Sequence, residues 1–411
     1  MKKWLIVLAM LLGSVSGHLQ AYASQELQYN SITNASEIET DPLGIKISAQ
    51  LSKHIDGLKR VLFDPYFELT RNPVNLRVSA DPADWLKADL LELEMHDALA
   101  ACDKGDLNLL PLNRILPFSE QMVDHFVSGA LQPCAVGQSI WATVVAYDSS
   151  LYNHDRAPVL IQDFFNITAY PGKRALRRTP RAFSEWALHV AGISDEAIYN
   201  ALDTNRGWDE IEQTLHEMGP HIFWVESDEQ AIDLLKKGVV SFAMVESQAL
   251  VRDLAKTEND SGSIFEFGII WDKAVAYMSM WAIPKQAQAE SALDFLRFAV
   301  DPANNLHSAT SFGYAPARKF QTALIEEKYR RVLPVGEKQT RNLMWGNSKW
   351  WREHGEELES WFSDYSHQLI DPDLIKTELK TPELKDQELK DQVQNEEPGK
   401  DIKSREVVTE S

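Results

Sequence analysis

Apolar and polar positions alternate with two different periods in the first part of the chain. Short apolar runs predict strands, and longer stretches with apolar positions three and four residues apart predict helices. Strands are predicted at 43–48, 74–79 and 89–93, and helices at 55–69, 83–87 and 97–104. The longest of these helices has its apolar positions at Leu58, Val61, Leu62, Phe67 and Leu69. This alternation indicates an α/β domain with a largely parallel sheet.

The middle of the chain repeats the alternation after a break. The β-branched and aromatic run SIWATVVAY at 139–147 predicts a buried strand. Helices are then predicted at 181–191, 207–218 and 228–237, with strands at 222–225 and 239–245. A further strand at 275–283 ends before Pro284, and an amphipathic helix follows at 289–299. The pattern therefore predicts a second α/β segment, and the length of the chain agrees with about two domains.

The last folded stretch, 340–368, is predicted as a helix rich in aromatic residues. These are Trp345, Trp350, Trp351, Trp361 and Phe362. Helical spacing of such residues favours packing in a core over a cage around a ligand. Residues 371–411 follow as an imperfect polar repeat that buries too little apolar surface to fold, so a disordered acidic tail is expected.

The first 23 residues have the pattern of a secretory signal peptide. Lys2 and Lys3 precede a short apolar run at 4–12, and Ala21-Tyr22-Ala23 forms a cleavage site before Ser24. A polar leader at 24–42 follows. Since no later segment has the ~18 uncharged apolar residues of a membrane-spanning helix, an exported, periplasmic protein is expected.

Charge and cysteine content limit the possible functions. The formal net charge of −20 disfavours binding to nucleic acid and to anionic membranes. The chain has two cysteines, Cys102 and Cys134, and in an exported protein these predict one disulfide. The eleven histidines show no zinc-binding spacing, and there is no G-x-S-x-G or P-loop motif. We therefore expect no cofactor, no metal and no enzymatic activity.

Six strings in one order along 43–368 carry a resemblance to a known family. They are DPYFELTRNPVNLRV, CAVGQSIWATVVAYDSSLY, FFNITAYPGKRALRRTPRAFSEWAL, MSMWAIPKQA, SFGYAPARK and SKWWREHGEELESWF. In this order and spacing the chain resembles the extracellular solute-binding proteins of ABC importers, of the spermidine/putrescine type. The resemblance implies a type II periplasmic-binding fold, in which two α/β lobes joined by crossing strands hold the ligand in a cleft.

The resemblance also implies a division of the chain into segments. Residues 43–140 would form the first part of lobe 1, 141–275 would form lobe 2, and 276–370 would return to lobe 1 with the C-terminal helices. The first crossing would lie near 139–147 and the second near 277–284. Closure would be a hinge motion, and the closed form would be presented to a permease.

The function that the resemblance implies is delivery of a polyamine to an ABC permease in the inner membrane, by a monomer. Two alternatives remain open. The same fold could bind an anionic or amino-acid-like solute, or the protein could be a periplasmic sensor that acts on a membrane receptor.

Candidate ligand residues follow the predicted strands, where ligands of α/β sheets usually bind. A polyamine requires carboxylates for its ammonium groups and aromatic faces for its stem. The candidates are Glu94, Trp141, Glu226, Glu246, Ser247, Tyr277 and Ser279. Tyr277 and Ser279 alternate on one crossing strand and are therefore expected to share a face.

The chain differs from the spermidine/putrescine-type group of binding proteins in one charged segment. Where that group places acids, this chain has Arg178 and Arg181 in the string RRTPR, with Arg174 and Arg177 just before them. If these arginines face the cleft, they would repel a polycation and could instead bind a carboxylate through paired hydrogen bonds. The group also often has an aspartate where this chain has Ser279.

Overall fold

The computed structural model describes most of the chain between residues 44 and 369. The described ranges are 44–50, 58–79, 81–85, 87–116, 124–152, 156–257, 265–287, 289–319 and 322–369. The expected signal peptide at 1–23, the leader at 24–42 and the tail at 371–411 lie outside these ranges. Within them, no helix combines the length and the apolar character that crossing a membrane requires.

Eleven strands of the described residues form one sheet. They are β1 (Ile45–Ala49), β2 (Val74–Val78), β3 (Leu90–Glu94), β4 (Leu131–Gln132), β5 (Ala135–Asp148), β6 (Arg174–Arg177), β7 (Ile222–Val225), β8 (Phe242–Glu246), β9 (Phe267–Ala282), β10 (Ala315–Pro316) and β11 (Met344–Trp345). The main order is β2-β1-β3-β9-β5-β8-β6-β7, with the short strands β4, β10 and β11 at its sides.

The sheet is parallel at both ends and antiparallel in the middle. At one end β1 pairs parallel to β2 and β3, and at the other end β6 pairs parallel to β7 and β8. Between them β5 and β9 are antiparallel to each other and to their outer neighbours. This is the α/β, type II periplasmic-binding fold that was expected, with two lobes and two long strands that cross between them.

Helices connect the strands, as an α/β chain requires. The α-helices are α1 (Asp64–Thr70), α2 (Pro82–Trp85), α3 (Met95–Lys104), α4 (Leu112–Ile115), α5 (Ile161–Phe165), α6 (Phe183–Val190), α7 (Ile198–Leu202), α8 (Asn205–Met218), α9 (Asp228–Lys236), α10 (Ser247–Thr257), α11 (Ala289–Ala299), α12 (Pro302–Thr310), α13 (Glu327–Arg331), α14 (Glu337–Thr340) and α15 (Ser348–Gln368). Gly105 ends α3 with a φ of 78°, which favours glycine because other residues meet a steric penalty there.

The first helix differs from its prediction. Residues 59–63 form a π-helical turn before α1, and the wider turn changes which side chains face the core. Phe67 and Leu69 are 42% and 73% exposed, so their predicted place on the buried face is wrong. Tyr66 is buried instead and packs edge-on against Phe295, with ring centroids 5.0 Å apart.

Both crossing strands are longer than the sequence pattern indicated. The apolar run at 139–147 is the centre of β5, all of whose residues from 135 to 147 are buried. β9 begins at Phe267 rather than near 275, because Asp272 and Lys273 interrupt the apolar pattern of its first half. Lys273 has a φ of 55°, in the left-handed region. The pairing of β5 with β9 also changes register between Thr143 and Val145.

A third segment runs beside the crossing strands. β11 pairs parallel to β9, with Met344 opposite Val275 and Trp345 opposite Ala276. The sequence placed Trp345 inside a helix, but the helix begins only at Ser348. A two-residue strand leaves no periodic signal, so the sequence pattern could not reveal this passage.

Cys102 and Cys134 form the predicted disulfide, with their Cα atoms 5.8 Å apart. The bond joins α3 to the entry of β5, across a sequence separation of 32 residues. It therefore fixes the first crossing strand to the helix that follows β3.

The last turns of α15 belong to a second compact unit, 361–411, of which the structure describes 361–369. Within that unit Trp361 stacks on Tyr365 with ring centroids 5.4 Å apart. The remaining elements belong to the first unit, 1–360.

Candidate functional site

A cavity of about 510 Å³ opens where the strands of both lobes end beside the crossing strands. Its lining combines aromatic, amide, hydroxyl and charged side chains. These residues are Gln50, Glu94, Trp141, Thr143, Arg177, Arg178, Thr179, Arg181, Val225, Glu226, Glu246, Gln248, Tyr277, Tyr314 and Ser348. A volume of this size suits a small organic solute.

Aromatic rings from the crossing strands form one wall of the cavity. Trp141 of β5 and Tyr277 of β9 are register partners, and their rings stack with centroids 5.9 Å apart. Tyr314 packs against Trp141, with ring centroids 5.1 Å apart. Burial raises the pKa of Tyr277 well above its usual value, with the nearby carboxylates of Glu185 and Glu94 adding to the effect. Tyr277 is therefore a neutral hydrogen-bonding group beside the aromatic faces.

Glu94, the last residue of β3, is an acid in unusual surroundings. Burial and the neighbouring carboxylates of Asp97 and Glu92 raise its pKa to about 8. Its Oε2 atom is buried and has no hydrogen-bond partner among the described residues. The backbone N–H of Glu94 donates to Gln50 Oε1 at 2.8 Å, which fixes the position of the strand end. Glu94 also lines the cavity, and a cation bound there would favour the ionised form of its carboxyl.

A second group of charges surrounds Arg177 at the ends of β6 and β8. Arg177 Nε lies 3.3 Å from Asp228 Oδ1, and its Nη2 lies 3.9 Å from Glu246 Oε1. Asp228 Oδ2 also accepts the backbone N–H of Glu246 at 3.2 Å. Burial raises the pKa of Asp228 to about 6, although Arg177 opposes this shift. The positive charge of Arg177 is therefore shared between two carboxylates of the protein.

Arg178 and Arg181 enter the cavity from the loop after β6. Arg178 lies over the ring of Trp224 and 3.6 Å from Glu226, whose side chain is 83% exposed. An ion pair with so exposed a partner contributes little and can be replaced by a ligand. Arg181 Nε donates to Glu359 Oε1 at 2.8 Å. Arg178 can therefore exchange this ion pair for one with a ligand carboxylate.

The start of α15 adds a polar end to the cavity at Ser348. Asn347 precedes it, and its Oδ1 atom accepts the N–H of Trp350 at 2.9 Å, as a helix-capping side chain does. The N–H groups in the first turn of a helix carry partial positive charge. This end of the cavity therefore favours a negatively charged group.

Five of the seven sequence-predicted candidates line the cavity: Glu94, Trp141, Glu226, Glu246 and Tyr277. The other two are outside the lining. Ser247 is fully buried, and its Oγ accepts the N–H of Ala142 at 3.2 Å. Ser279 is buried, its hydroxyl donates to the Glu92 carboxylate, and Gln138 Oε1 lies 3.3 Å from the same oxygen.

The arginine cluster divides between the cavity and the core. Arg177, Arg178 and Arg181 line the cavity, the orientation in which they would repel a polycation and could bind a carboxylate. Arg174 is fully buried and donates to the carbonyl oxygens of Phe164, Gly172 and Tyr170. Gln50, Tyr314 and Ser348 also line the cavity, and sequence reasoning missed them because they are far apart in the chain.

The charged lining is balanced in number. It contains three glutamates and three arginines, and the described residues include no cluster of His, Cys, Asp and Glu side chains that could hold a metal ion. A polycation would meet the guanidinium groups, and a polyanion would meet the carboxylates. Chemically, the cavity is equipped to hold a small solute that carries both charges.

Comparison with known proteins identifies a family. Residues 88–323, more than half of the chain, match the sequence profile of the family described as bacterial extracellular solute-binding protein. The gamma-aminobutyric acid-binding protein of Pseudomonas aeruginosa is 29% identical over 297 residues, which are 71% of this chain and 79% of that protein.

Two solved structures are similar in fold. The Atu4243 GABA receptor is 18% identical with a TM-score of 0.57, over 79% of this chain and 97% of the receptor. The spermidine/putrescine ABC transporter substrate-binding protein of Streptococcus pneumoniae is 15% identical with a TM-score of 0.55, over 79% of this chain and 99% of that protein. From the family match and the shared fold we conclude that the chain belongs to the bacterial extracellular solute-binding proteins.

Proposed function

We propose that this protein binds a small zwitterion, an ω-amino acid such as γ-aminobutyrate, and delivers it to an ABC permease. The observation that carries the proposal is the mixed charge of the cavity, in which three glutamates and three arginines surround an aromatic wall. An ω-amino acid has one ammonium group, one carboxylate and a short apolar stem. Each part of such a ligand has a matching group in the lining.

The ammonium end of the ligand is assigned to Glu94. The buried Oε2 of this carboxyl has no hydrogen-bond partner among the described residues, and Trp141 and Tyr277 lie on the same cavity wall. A charged hydrogen bond to a carboxylate contributes ~1.5–3 kcal/mol, and contact of a cation with an aromatic face contributes ~0.5–2 kcal/mol.

The carboxylate end is assigned to Arg178 and the start of α15 at Ser348. The ion pair of Arg178 with the exposed Glu226 side chain can be exchanged for one with the ligand. Guanidinium groups bind carboxylates through two parallel hydrogen bonds, and the N–H groups of a first helical turn favour the same charge. Arg177 stays with Asp228 and Glu246, whose two carboxylates already offset its positive charge.

Polyamine delivery, which the sequence resemblance implied, is the competing assignment. The carboxylates and aromatic rings of the cavity suit it, but the three arginines in the same lining oppose a polycation. The curated relative is named for γ-aminobutyrate, which agrees with the zwitterion. A sensor that acts on a membrane receptor would use the same cavity and differ only in its partner.

We further propose that the protein acts in the periplasm as a monomer, with 43–140 in one lobe and 141–275 in the other. Residues 276–370 return to the first lobe and include the C-terminal helices. The family is extracellular, and the signal peptide predicted at 1–23 provides a route of export. Genes for a permease and an ATPase beside this gene would support import, whereas a receptor gene in that place would support the sensor.

Titration calorimetry of protein refolded to remove bound solute tests the assignment. The ligands are γ-aminobutyrate, putrescine, spermidine and succinate. We expect saturable binding of γ-aminobutyrate, weakened about 10- to 100-fold by Glu94→Gln and by Arg178→Ala, because each removes a charged hydrogen bond. Glu212→Gln and Arg341→Gln, both on exposed positions outside the lining, should leave the affinity unchanged.

The other outcomes are equally informative. Tight binding of putrescine or spermidine that Arg178→Ala improves would favour the polyamine assignment. Binding of succinate alone, with no effect of Glu94→Gln, would favour an anionic solute. Silence with all four ligands would reject the proposal.

A further inference from the structure

The first turn of α15 is anchored to lobe 2 by hydrogen bonds around Glu185. The N–H of Asn347 donates to Tyr199 Oη at 2.7 Å, and the Tyr199 hydroxyl donates to Glu185 Oε1 at 2.9 Å. Trp351 Nε1 donates to the same Glu185 oxygen at 2.9 Å, and Trp350 Nε1 donates to Asp203 at 3.1 Å. Glu185 is fully buried, so these bonds hold the helix start firmly.

Arg352, the next residue, reaches in the other direction, to α3 of lobe 1. Both of its terminal nitrogens donate to the Asp97 carboxylate, with Nη1 3.1 Å from Oδ2. Asp97 is only 5% exposed, whereas the Arg352 side chain is 40% exposed. A two-point bond between a guanidinium and a buried carboxylate is specific in geometry, and removing one partner leaves the other charge poorly compensated.

Asp97 also organises the lobe 1 side of the cavity. Its Oδ2 atom accepts a hydrogen bond from Gln50 Nε2 at 2.8 Å, and Gln50 Oε1 accepts the N–H of Glu94 at 2.8 Å. Gln50 and Glu94 line the cavity, as does Ser348 at the start of α15. A continuous set of polar contacts therefore runs from Glu94 through Asp97 to the helix that lobe 2 holds.

We infer that the Asp97–Arg352 ion pair fastens the two lobes together beside the ligand cavity and positions Glu94 and Ser348 relative to each other. The pair acts through the residues it holds and does not contact the ligand itself. A solute enclosed by the closed lobes leaves only after they separate, so this ion pair slows dissociation. The part of this inference that concerns the ligand rests on the proposed function.

Arg352→Gln is the decisive variant, because the Arg352 side chain is half-exposed and Asp97 keeps its hydrogen bond from Gln50. Small-angle X-ray scattering of the ligand-free full chain should give a larger radius of gyration for this variant than for the wild type. Arg341→Gln, which removes the exposed pair with Glu337, is the matched control and should give the wild-type value. Equal radii for Arg352→Gln and the wild type would overturn the inference whether or not any ligand binds.

Stopped-flow kinetics with γ-aminobutyrate add the second readout. Arg352→Gln should raise the dissociation rate about tenfold or more and change the association rate less than threefold, because the pair has one buried partner and is broken when the lobes separate. Arg352→Lys keeps the charge without the paired hydrogen bonds. Its dissociation rate should lie between those of the wild type and Arg352→Gln. A dissociation rate within twofold of wild type would contradict the inference while leaving the proposed function intact, and absence of binding to the wild type would contradict only the proposed function.

The double variant Asp97→Asn/Arg352→Gln completes the cycle. If the two residues act as one pair, the double variant should dissociate no faster than the more affected single variant. If the fold increases in dissociation rate caused by the two single substitutions multiply in the double variant, the residues act independently and the pairing is wrong.

Discussion

At the scale of single residues, Glu94 combines a half-buried position with a place in the ligand cavity. Its pKa of about 8 arises from burial and from the carboxylates of Asp97 and Glu92, against the attraction of Arg352 and Arg181. A glutamate in an unfolded chain ionises near pH ~4.3. Between these values the folded protein holds a proton that the unfolded chain releases, so this residue makes the free energy of unfolding fall as pH rises.

The same proton makes ligand binding dependent on pH. An ammonium group favours the ionised carboxylate, so binding expels the proton of Glu94. We expect the affinity for γ-aminobutyrate to rise from pH 6.5 to about 8, by at most about tenfold per pH unit, and then to level off. Asp228, with a pKa of about 6, is already mostly ionised over this range. Titration calorimetry at several pH values measures this dependence.

The proton that Glu94 releases on binding is taken up by the buffer, so it can be detected by comparing buffers with different heats of ionisation. The binding enthalpy of the wild type at pH 7 should differ between phosphate and Tris, whereas that of Glu94→Gln should not. The same enthalpy in both buffers for the wild type would show that Glu94 releases no proton.

At the scale of elements, the disulfide joins α3 to the first crossing strand. It closes a sequence separation of 32 residues, and a cross-link over such a loop stabilises by ~3–4 kcal/mol in the chain-entropy model. The double variant Cys102→Ala/Cys134→Ala should therefore lose about that free energy of unfolding in urea denaturation. Wild-type protein treated with reductant should have the same free energy of unfolding as the double variant.

Thiol labelling provides the control for this prediction. The non-reduced, denatured wild type should take up no label. Two labelled thiols, or a double variant as stable as the oxidised wild type, would contradict a stabilising bond.

The elements also show what the sequence could and could not predict. The apolar runs that became β5 and β8 were recognisable because side chains buried on both faces leave a continuous hydrophobic pattern. β6 was missed because its sequence, RALR, reads as polar, although Arg174 at its start is buried against three carbonyl oxygens. Side chains that are buried by specific hydrogen bonds carry no periodic signal.

The residues that line the cavity were predictable only where they lie at the end of a strand. Glu94 and Glu246 each end a strand, so the rule that ligands bind beyond strand ends identified them. The same rule suggested Ser247, whose side chain turns into the core to meet Ala142. Ser348 joins the lining only through the path of the chain after β11, which no local pattern encodes.

At the scale of the whole molecule, the two lobes share the centre of one sheet. β5 and β9 have 14 and 16 residues, lie next to each other, and pair outward with β8 and β3. Neither lobe can unfold without losing strands that also belong to the other. We therefore expect one cooperative unfolding transition, although multidomain chains of this length often show several.

Urea denaturation followed by two signals measures this cooperativity. Tryptophan fluorescence and far-UV circular dichroism should give coincident curves with the same midpoint. Two separated midpoints would show that the lobes unfold independently in spite of the shared strands.

The course of the chain around the cavity sets the smallest fragment that can bind a solute. The stretch matching the family profile, 88–323, contains both crossing strands but ends before β11 and begins after β1. A protein cut to that stretch would lack Gln50, Ser348 and Arg352, which come from opposite ends of the chain. Solute binding in this protein thus depends on residues that are far apart in the chain and meet at one cavity. A truncated version made for crystallisation or biosensor use must keep Gln50 as well as the start of α15.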